Sequence, residues 1–268
     1  MSLAPMTGPD AAIAETQGGT TLDEFLGGRI AVLQPKRGHR AGSDAVFLAA
    51  AVAGRPSELV LDVGAGVGVA GLCLMARVPG IKVAAVEVDP KLVALAEANA
   101  ARNGLAARFQ VVTADIAAPA RSLLATGLKR EGYAQVIANP PFYREGTVRT
   151  APDSARKSAH VMRGGMLAAW VRFFATMAAP KGWLTLIHRP EALTELLPLI
   201  EARFGAITIF PLFAKAQTPA TRIILRARKG SRQGLTLLPG LVLHESDGRY
   251  TADAEAVLRE GQALDLRE

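Results

Sequence analysis

A single cysteine, Cys73, stands in a chain of 268 residues. A lone thiol excludes an internal disulfide and a cysteine zinc cluster, and its small apolar neighbours predict that it fills core. No apolar run reaches the roughly 20 residues that a membrane-spanning helix needs. The N-terminus lacks a basic segment followed by an apolar one, so no secretory signal is expected and a cytoplasmic protein is. Metal-ligand spacing is missing too. His188 has no second His, Cys or acid suitably placed, so it reads as a satisfied or exposed imidazole and no metal is expected. Acids are absent from Lys215 to Arg232, where Lys215, Arg222, Arg226, Arg228, Lys229 and Arg232 follow one another without a counter-charge.

Half of the residues are hydrophobic, the net charge is +7 and the pI is near 9.9. Such a chain buries a full core and fits one large α/β domain better than two. Residues 1–20 are expected to be a flexible leader. Residues 21–268 are read as one domain: a cap segment over 21–55, a core over 56–232 and a C-terminal extension over 233–268. No repeat or low-complexity tract interrupts it. A second basic run, Arg144 to Arg163, carries Arg144, Arg149, Arg156, Lys157 and Arg163 against Glu145 and Asp153. Charged runs are commonly just solvated faces. These two flank the stretch singled out below, which points to contacts with the phosphates of a polyanion.

Leu22 to Leu33 predicts a short strand or hairpin turned at Gly27-Gly28. A polar, glycine-punctuated loop follows, and Ser43 or Asp44 is placed to cap a helix over Ala45 to Ala53. Leu59 to Val63 reads as a strand that enters Gly64-Ala65-Gly66-Val67-Gly68 and then a helix. Glycines there let the backbone turn sharply beside a ligand, and Gly66, Gly68 and Gly71 equally satisfy the dinucleotide pattern. The next strand, Lys82 to Val86, delivers Glu87 nineteen residues after Gly68, where a carboxylate can accept both hydroxyls of a ribose or simply form a surface ion pair. Asp89-Pro90 opens a helix that stops at Asn103-Gly104. Phe109 to Val112 is a third strand ending at Asp115, which suits an adenine amino group or a cap for Ile116 onward. Met166 to Ala178, carrying Trp170 as a core residue, and Leu193 to Phe204 read as helices. Trp183 to Ile187 is a fifth strand, and Ile207 to Phe213 with Arg222 to Ala227 makes a closing hairpin.

The fourth strand, Ala134 to Ile137, runs into Ala138-Asn139-Pro140-Pro141-Phe142-Tyr143. Two prolines forbid both a continued ladder and a helix. The Asn139 amide and the Pro140 carbonyl can accept both N–H bonds of an exocyclic amine while Phe142 or Tyr143 stacks on its ring. A strand-ending turn with an aromatic packed nearby is the plainer alternative.

Taken in order, these motifs resemble the class I S-adenosylmethionine-dependent methyltransferases over about Leu59 to Ala227. The resemblance implies a Rossmann-like, doubly wound α/β sheet of seven strands with the last antiparallel, and S-adenosylmethionine as cofactor. It implies that Asp62, Gly64, Gly66 and Gly68, with Ala65, line that cofactor, that Glu87, beside Val88, holds its ribose, and that Asp115, beside Ile116, meets its adenine. Asn139, Pro140 and Phe142, supported by Tyr143, would orient and stack the base, with Asn139 also at the cofactor. Gln34-Pro35, Gly38, Arg40, Gly42, Asp44, Ala45, Leu243-His244 and Gly248-Arg249-Tyr250-Thr251 are similar to the bacterial tRNA(Val) adenine N6-methyltransferases, in which the segment matching Arg40 to Asp44 folds over the cofactor. The partner implied is RNA, tRNA foremost. Other readings stay open: a guanine N2 methyltransferase of ribosomal RNA, a glutamine methyltransferase, an NAD-dependent oxidoreductase and a non-catalytic RNA-binding protein.

Overall fold

The computed structural model describes residues 19–38, 40–141 and 153–266, with backbone alone over 153–164. Its strands form where short apolar runs alternate between two helix layers, as buried parallel strands do. Val60 of β3 (Leu59–Val63) faces one layer, while Leu61 and Val63 face the other. Ile137 and Val136 divide in the same way on β6 (Tyr133–Ala138), as do Ile187 and Leu186 on β7 (Ala178–His188). Cys73 lies buried in the first layer, and burial pushes its thiol up to about 12.

The first layer holds α1 (Ser43–Ala50), α2 (Val69–Arg77) and α3 (Pro90–Arg102). The second is built on α5 (Asp153–Met177) and α6 (Leu193–Glu201), with Leu123 of the short α4 (Ala120–Ala125). Helix α5 begins well ahead of the expected Met166, since Arg and Lys in its first turns are good helix formers. With β4 (Lys82–Glu87), β5 (Phe109–Thr113), β8 (Phe204–Lys215) and β9 (Ala220–Lys229), the central strands lie in the order β8-β9-β7-β6-β3-β4-β5. Strands β3 to β7 are parallel, and β9 runs antiparallel to both of its neighbours. Two short strands, β10 (Leu235–Leu237) and β11 (Leu241–His244), add in parallel to β8 and extend the sheet to nine. The chain then passes through α7 (Ala252–Glu255).

The expected N-terminal hairpin is present as β1 (Thr20–Phe25) and β2 (Ile30–Pro35). It belongs to a separate two-stranded sheet. Its outer edge is paired by side chains instead of a strand. Asn103 Oδ1 accepts from the Ala31 amide at 2.9 Å and its Nδ2 donates to the Ala31 carbonyl at 2.8 Å. Asn99 does the same for Leu33, at 2.7 and 3.1 Å. Four helical residues rise about 6 Å, close to the length of two strand residues, so the (i, i+4) amides match alternate peptides of β2.

The cap assigned to Ser43 or Asp44 is not formed. Gly42 is the N-cap, without a side-chain bond, and Asp44 is drawn off by the Arg222 Nε at 2.7 Å. At the far end of the same helix Arg77, reaching across from α2, donates to the carbonyls of Ala49 and Val52.

The Lys215 to Arg232 stretch is also placed differently from its reading as a phosphate surface beside the site. The pairs His188–Ile223 and Trp183–Arg228 leave Arg222 at the end where β7 finishes and carry Arg226, Arg228 and Lys229 toward the opposite end. Arg226 lies over the Trp183 ring at 3.8 Å, and Arg228 donates to the Lys181 carbonyl. Lys229 Nζ donates to the carbonyls of Ala175 and Ala178, where α5 ends, and pairs with Glu131 at 2.9 Å. Of the other run, residues 144–152 lie outside the described residues, and Arg156, Lys157 and Arg163 are described in backbone only. Lys229→Met should therefore lower stability by about 1–3 kcal/mol, several degrees of melting temperature, since two buried carbonyls lose their donor. An unshifted thermal melt would contradict the structural role of this cation.

Candidate active site

Four strand ends meet along one edge of the sheet. Their order in space, β6-β3-β4-β5, is not their order in the chain, and β3, between β4 and β6, is the switch point where open α/β sheets bind ligands. Val63 of β3 and Ala138 of β6 are register partners, so the glycine bend and Asn139 leave the sheet side by side. Three strand spacings from Asn139 to Asp115 span about 14 Å.

The bend continues the sheet's hydrogen bonding before it turns. The amides of Gly64 and Ala65 both donate to the Val86 carbonyl, at 2.8 and 3.0 Å. Gly64 has φ +68°, and a Cβ there would lie 2.6 Å from Cη2 of Trp170, so neither its conformation nor its space admits a side chain. Trp170 is buried against Phe174, as expected of a core residue. Gly66, at φ +56°, faces open space.

Glu87 is 8 % exposed and joins both sides of the cleft floor. Its Oε2 accepts from Gly66 N at 2.9 Å, and its Oε1 accepts from the amides of Val88 and Asp89 at 2.8 and 3.0 Å. Among the described residues it forms hydrogen bonds to backbone, not the alternative surface ion pair. Val88 next to it is 61 % exposed. Asp115 is exposed, and its carboxylate accepts from Ala117 N, folding its own turn ahead of the half-buried Ile116.

Asp62 lies below the bend, 2 % exposed, and its Oδ2 accepts from Gly71 N at 3.0 Å, fixing the start of α2. Burial pushes its carboxyl from 3.8 up to about 7, with the Gly71 amide opposing and the Glu87 charge adding to the shift.

At the tip of β6, Asn139 is half-buried, yet its Oδ1 is fully buried with no partner among the described residues. A buried carbonyl without a donor is costly, and a bound N–H group or a water would relieve it. Pro140 is buried beside it, and Phe142 and Tyr143 lie outside the described residues. His188, at the end of neighbouring β7, is also buried, which together with nearby Arg222 holds its imidazole below the ordinary histidine range. The cap segment is divided. Arg222 at the β9 end holds Asp44, whereas Arg40 is turned onto the hairpin, bonded to Thr21, the Pro35 carbonyl and Asp23. No group of three or more His, Cys, Asp or Glu suited to a metal is found among the described residues.

The fold is similar to that of the class I, S-adenosylmethionine-dependent methyltransferases. The family model described as Methyltransferase small domain matches residues 41–167. A tRNA1(Val) (adenine(37)-N6)-methyltransferase of Porphyromonas gingivalis is 30 % identical over 161 residues, 59 % of this chain and 61 % of that protein. This chain thus spans about three fifths of that relative's length. A protein of the same name from Dickeya chrysanthemi is 25 % identical over 251 residues, covering 91 % and 93 %. Among solved structures, one described as a "predicted O-methyltransferase" from Agrobacterium tumefaciens superposes with a TM-score of 0.71 at 28 % identity, over 84 % of this chain and 99 % of that one. The resemblance drawn from the motifs is borne out at the level of class and fold.

The site residues fit that cofactor on three counts: the open face of Gly66, the exposed apolar Val88 beside a carboxylate, and the Asn139 acceptor, unpaired among the described residues. Sequence reasoning missed Asn99 and the contact of Trp170 with Gly64. The first left a trace, two asparagines spaced (i, i+4) on a helix, while the second left none.

The Asp62 carboxyl yields a prediction. Between about pH 4 and 7 the folded protein keeps a proton that the unfolded chain has released, so stability falls as pH rises through that window, and the full cost is present above it. Asp62→Asn keeps an acceptor for Gly71 and removes the titration. Thermal melts from pH 5 to 8 should show wild type losing stability relative to the variant. Parallel curves would refute the buried protonation.

Proposed function

We propose that the protein transfers a methyl group from S-adenosylmethionine to the exocyclic amine of a base in RNA, with adenine N6 of a tRNA as the acceptor. The observation that carries this reading is the buried Oδ1 of Asn139, without a partner among the described residues and beside the glycine bend. A carbonyl held in that state suits an N–H donor. Asn139 Oδ1 and the Pro140 carbonyl accept the two amine hydrogens, which orients the nitrogen lone pair and stabilises positive charge as it develops on nitrogen. The sulfonium cofactor supplies an activated methyl carbon. The amine loses its proton to water after attack, so no strong base is needed. Glu87 and Val88 hold the ribose and one face of the adenine, Asp115 and Ile116 the far end of the ring, and the backbone of Gly64, Ala65, Gly66 and Gly68 lines the floor over Asp62. Phe142, supported by Tyr143, stacks on the target base, and Arg40 and Asp44 belong to the segment that covers the cleft.

A hydroxyl acceptor, as in an O-methyltransferase, calls for a base to take its proton, and the β6 tip presents an amide instead. The names of the P. gingivalis and D. chrysanthemi relatives support tRNA adenine as the substrate. Lys215, at this end of the sheet, supports an anionic one.

Labelled methyl transfer into total unmodified RNA, followed by nucleoside identification, should yield N6-methyladenosine. Recovery of another methylated nucleoside would overturn the adenine assignment. Asn139→Ala should slow transfer by about 100-fold while S-adenosylhomocysteine still binds, the scale for losing one oriented polar contact at a reacting centre. Near-normal turnover would remove Asn139 from the mechanism.

A further inference from the structure

Two asparagines hold the N-terminal hairpin, yet they are not equivalent. The remaining hydrogen of the Asn103 amide goes to its own helix, at the Asn99 carbonyl, 2.7 Å away. The remaining hydrogen of Asn99 goes to the carbonyl of Val67, 3.1 Å away, between Gly66 and Gly68. Asn99 is fully buried, and its amide uses one acceptor and two donors on three backbone groups from two separate segments.

The Val67 carbonyl needs such a partner. Gly66 and Gly68, both at positive φ, lie on either side of Val67, so only the Val67 side chain restricts how the 66–68 peptides rotate. Within the bend the Gly68 amide donates to the Ala65 carbonyl at 2.9 Å, and contacts from elsewhere fix the rest of its conformation. From one side Glu87 takes the Gly66 amide. From the other side Asn99 fixes the Val67 carbonyl, and through Leu33 it connects that carbonyl to the hairpin. Beyond Leu33, Gln34 bonds both backbone groups of Ala41 and, with Arg40, meets Asp23. The segment leading into α1 and the glycine bend are thus connected through Asn99, the Leu33 peptide and Gln34.

We infer that Asn99 is a positioning residue for the cofactor, coupling the docked N-terminal hairpin to the glycine bend. It acts through the Val67 peptide without touching the reacting atoms. The inference rests on the methyltransferase reading of the site.

The pair supplies its own control. Asn99→Ala and Asn103→Ala each remove one rung of the hairpin clamp, so both should lower the melting temperature. Asn99→Ala alone frees the Val67 carbonyl. Calorimetry on the full chain should show S-adenosylhomocysteine binding weakened about tenfold in Asn99→Ala and within about twofold of wild type in Asn103→Ala. Asn99→Asp, which keeps the acceptor for Leu33 but loses both donors, serves if the alanine variant does not fold. Amide hydrogen exchange of the ligand-free proteins at Gly66 and Gly68 should quicken in the Asn99 variants alone. This second measurement needs no cofactor. A wild type that bound no S-adenosylhomocysteine would defeat the methyltransferase reading, while exchange at the bend would still test the role of Asn99. Equal loss of affinity in the Asn99 and Asn103 variants, or unchanged exchange at both glycines in the Asn99 variants, would overturn the inference.

Discussion

Three backbone amides converge on the Glu87 carboxylate, one from the glycine bend and two from the turn after β4. They add to the Gly64 and Ala65 amides that already meet the Val86 carbonyl, and extend the link between β3 and β4 past the strand ends. With them, the bend, the exposed Val88 and the start of α3 form one surface. A nearly buried carboxylate is tolerated because backbone N–H groups solvate it in place of water, and charge-assisted bonds of this kind are roughly twice as strong as neutral ones. Everything proposed for the cleft depends on that anchoring.

The protein's cations follow a related logic. Arg77 serves carbonyls at the end of α1, and Lys229 serves those at the end of α5. Both sit where a helix gathers unpaired carbonyls and the negative end of its dipole, so a buried positive charge finds ready partners. Burial holds Arg77 and Arg226 below the ordinary arginine range, and for Arg226 a neighbouring Arg228 adds to the effect. A pI near 9.9 accordingly overstates the cationic surface, because part of the excess is used in internal contacts.

Much of the site was legible because its signals are local. A glycine run after an apolar strand, an acid at the end of the next strand and two prolines after Asn139 each constrain the chain within a few residues. What could not be read depended on distant partners. Asp44 looks like a helix cap until Arg222, 178 residues away, claims its carboxylate. Arg40 looks available to a ligand until Asp23 and Thr21 hold it. Lys215 to Arg232 looks like one basic face until the antiparallel register carries its ends to opposite edges of the sheet.

From sequence alone came the short apolar runs that make buried strands, and the residue types at the strand ends, because both follow from local hydrophobicity and from the chemistry of single side chains. Only the tertiary structure decided that Asn139 stands next to the glycine bend, that the asparagines of α3 serve as a strand for β2, and that Trp170 closes over Gly64. The physical reason is that hydrogen-bond capacity belongs to a residue, while its use depends on which segments the sheet order brings within 3 Å.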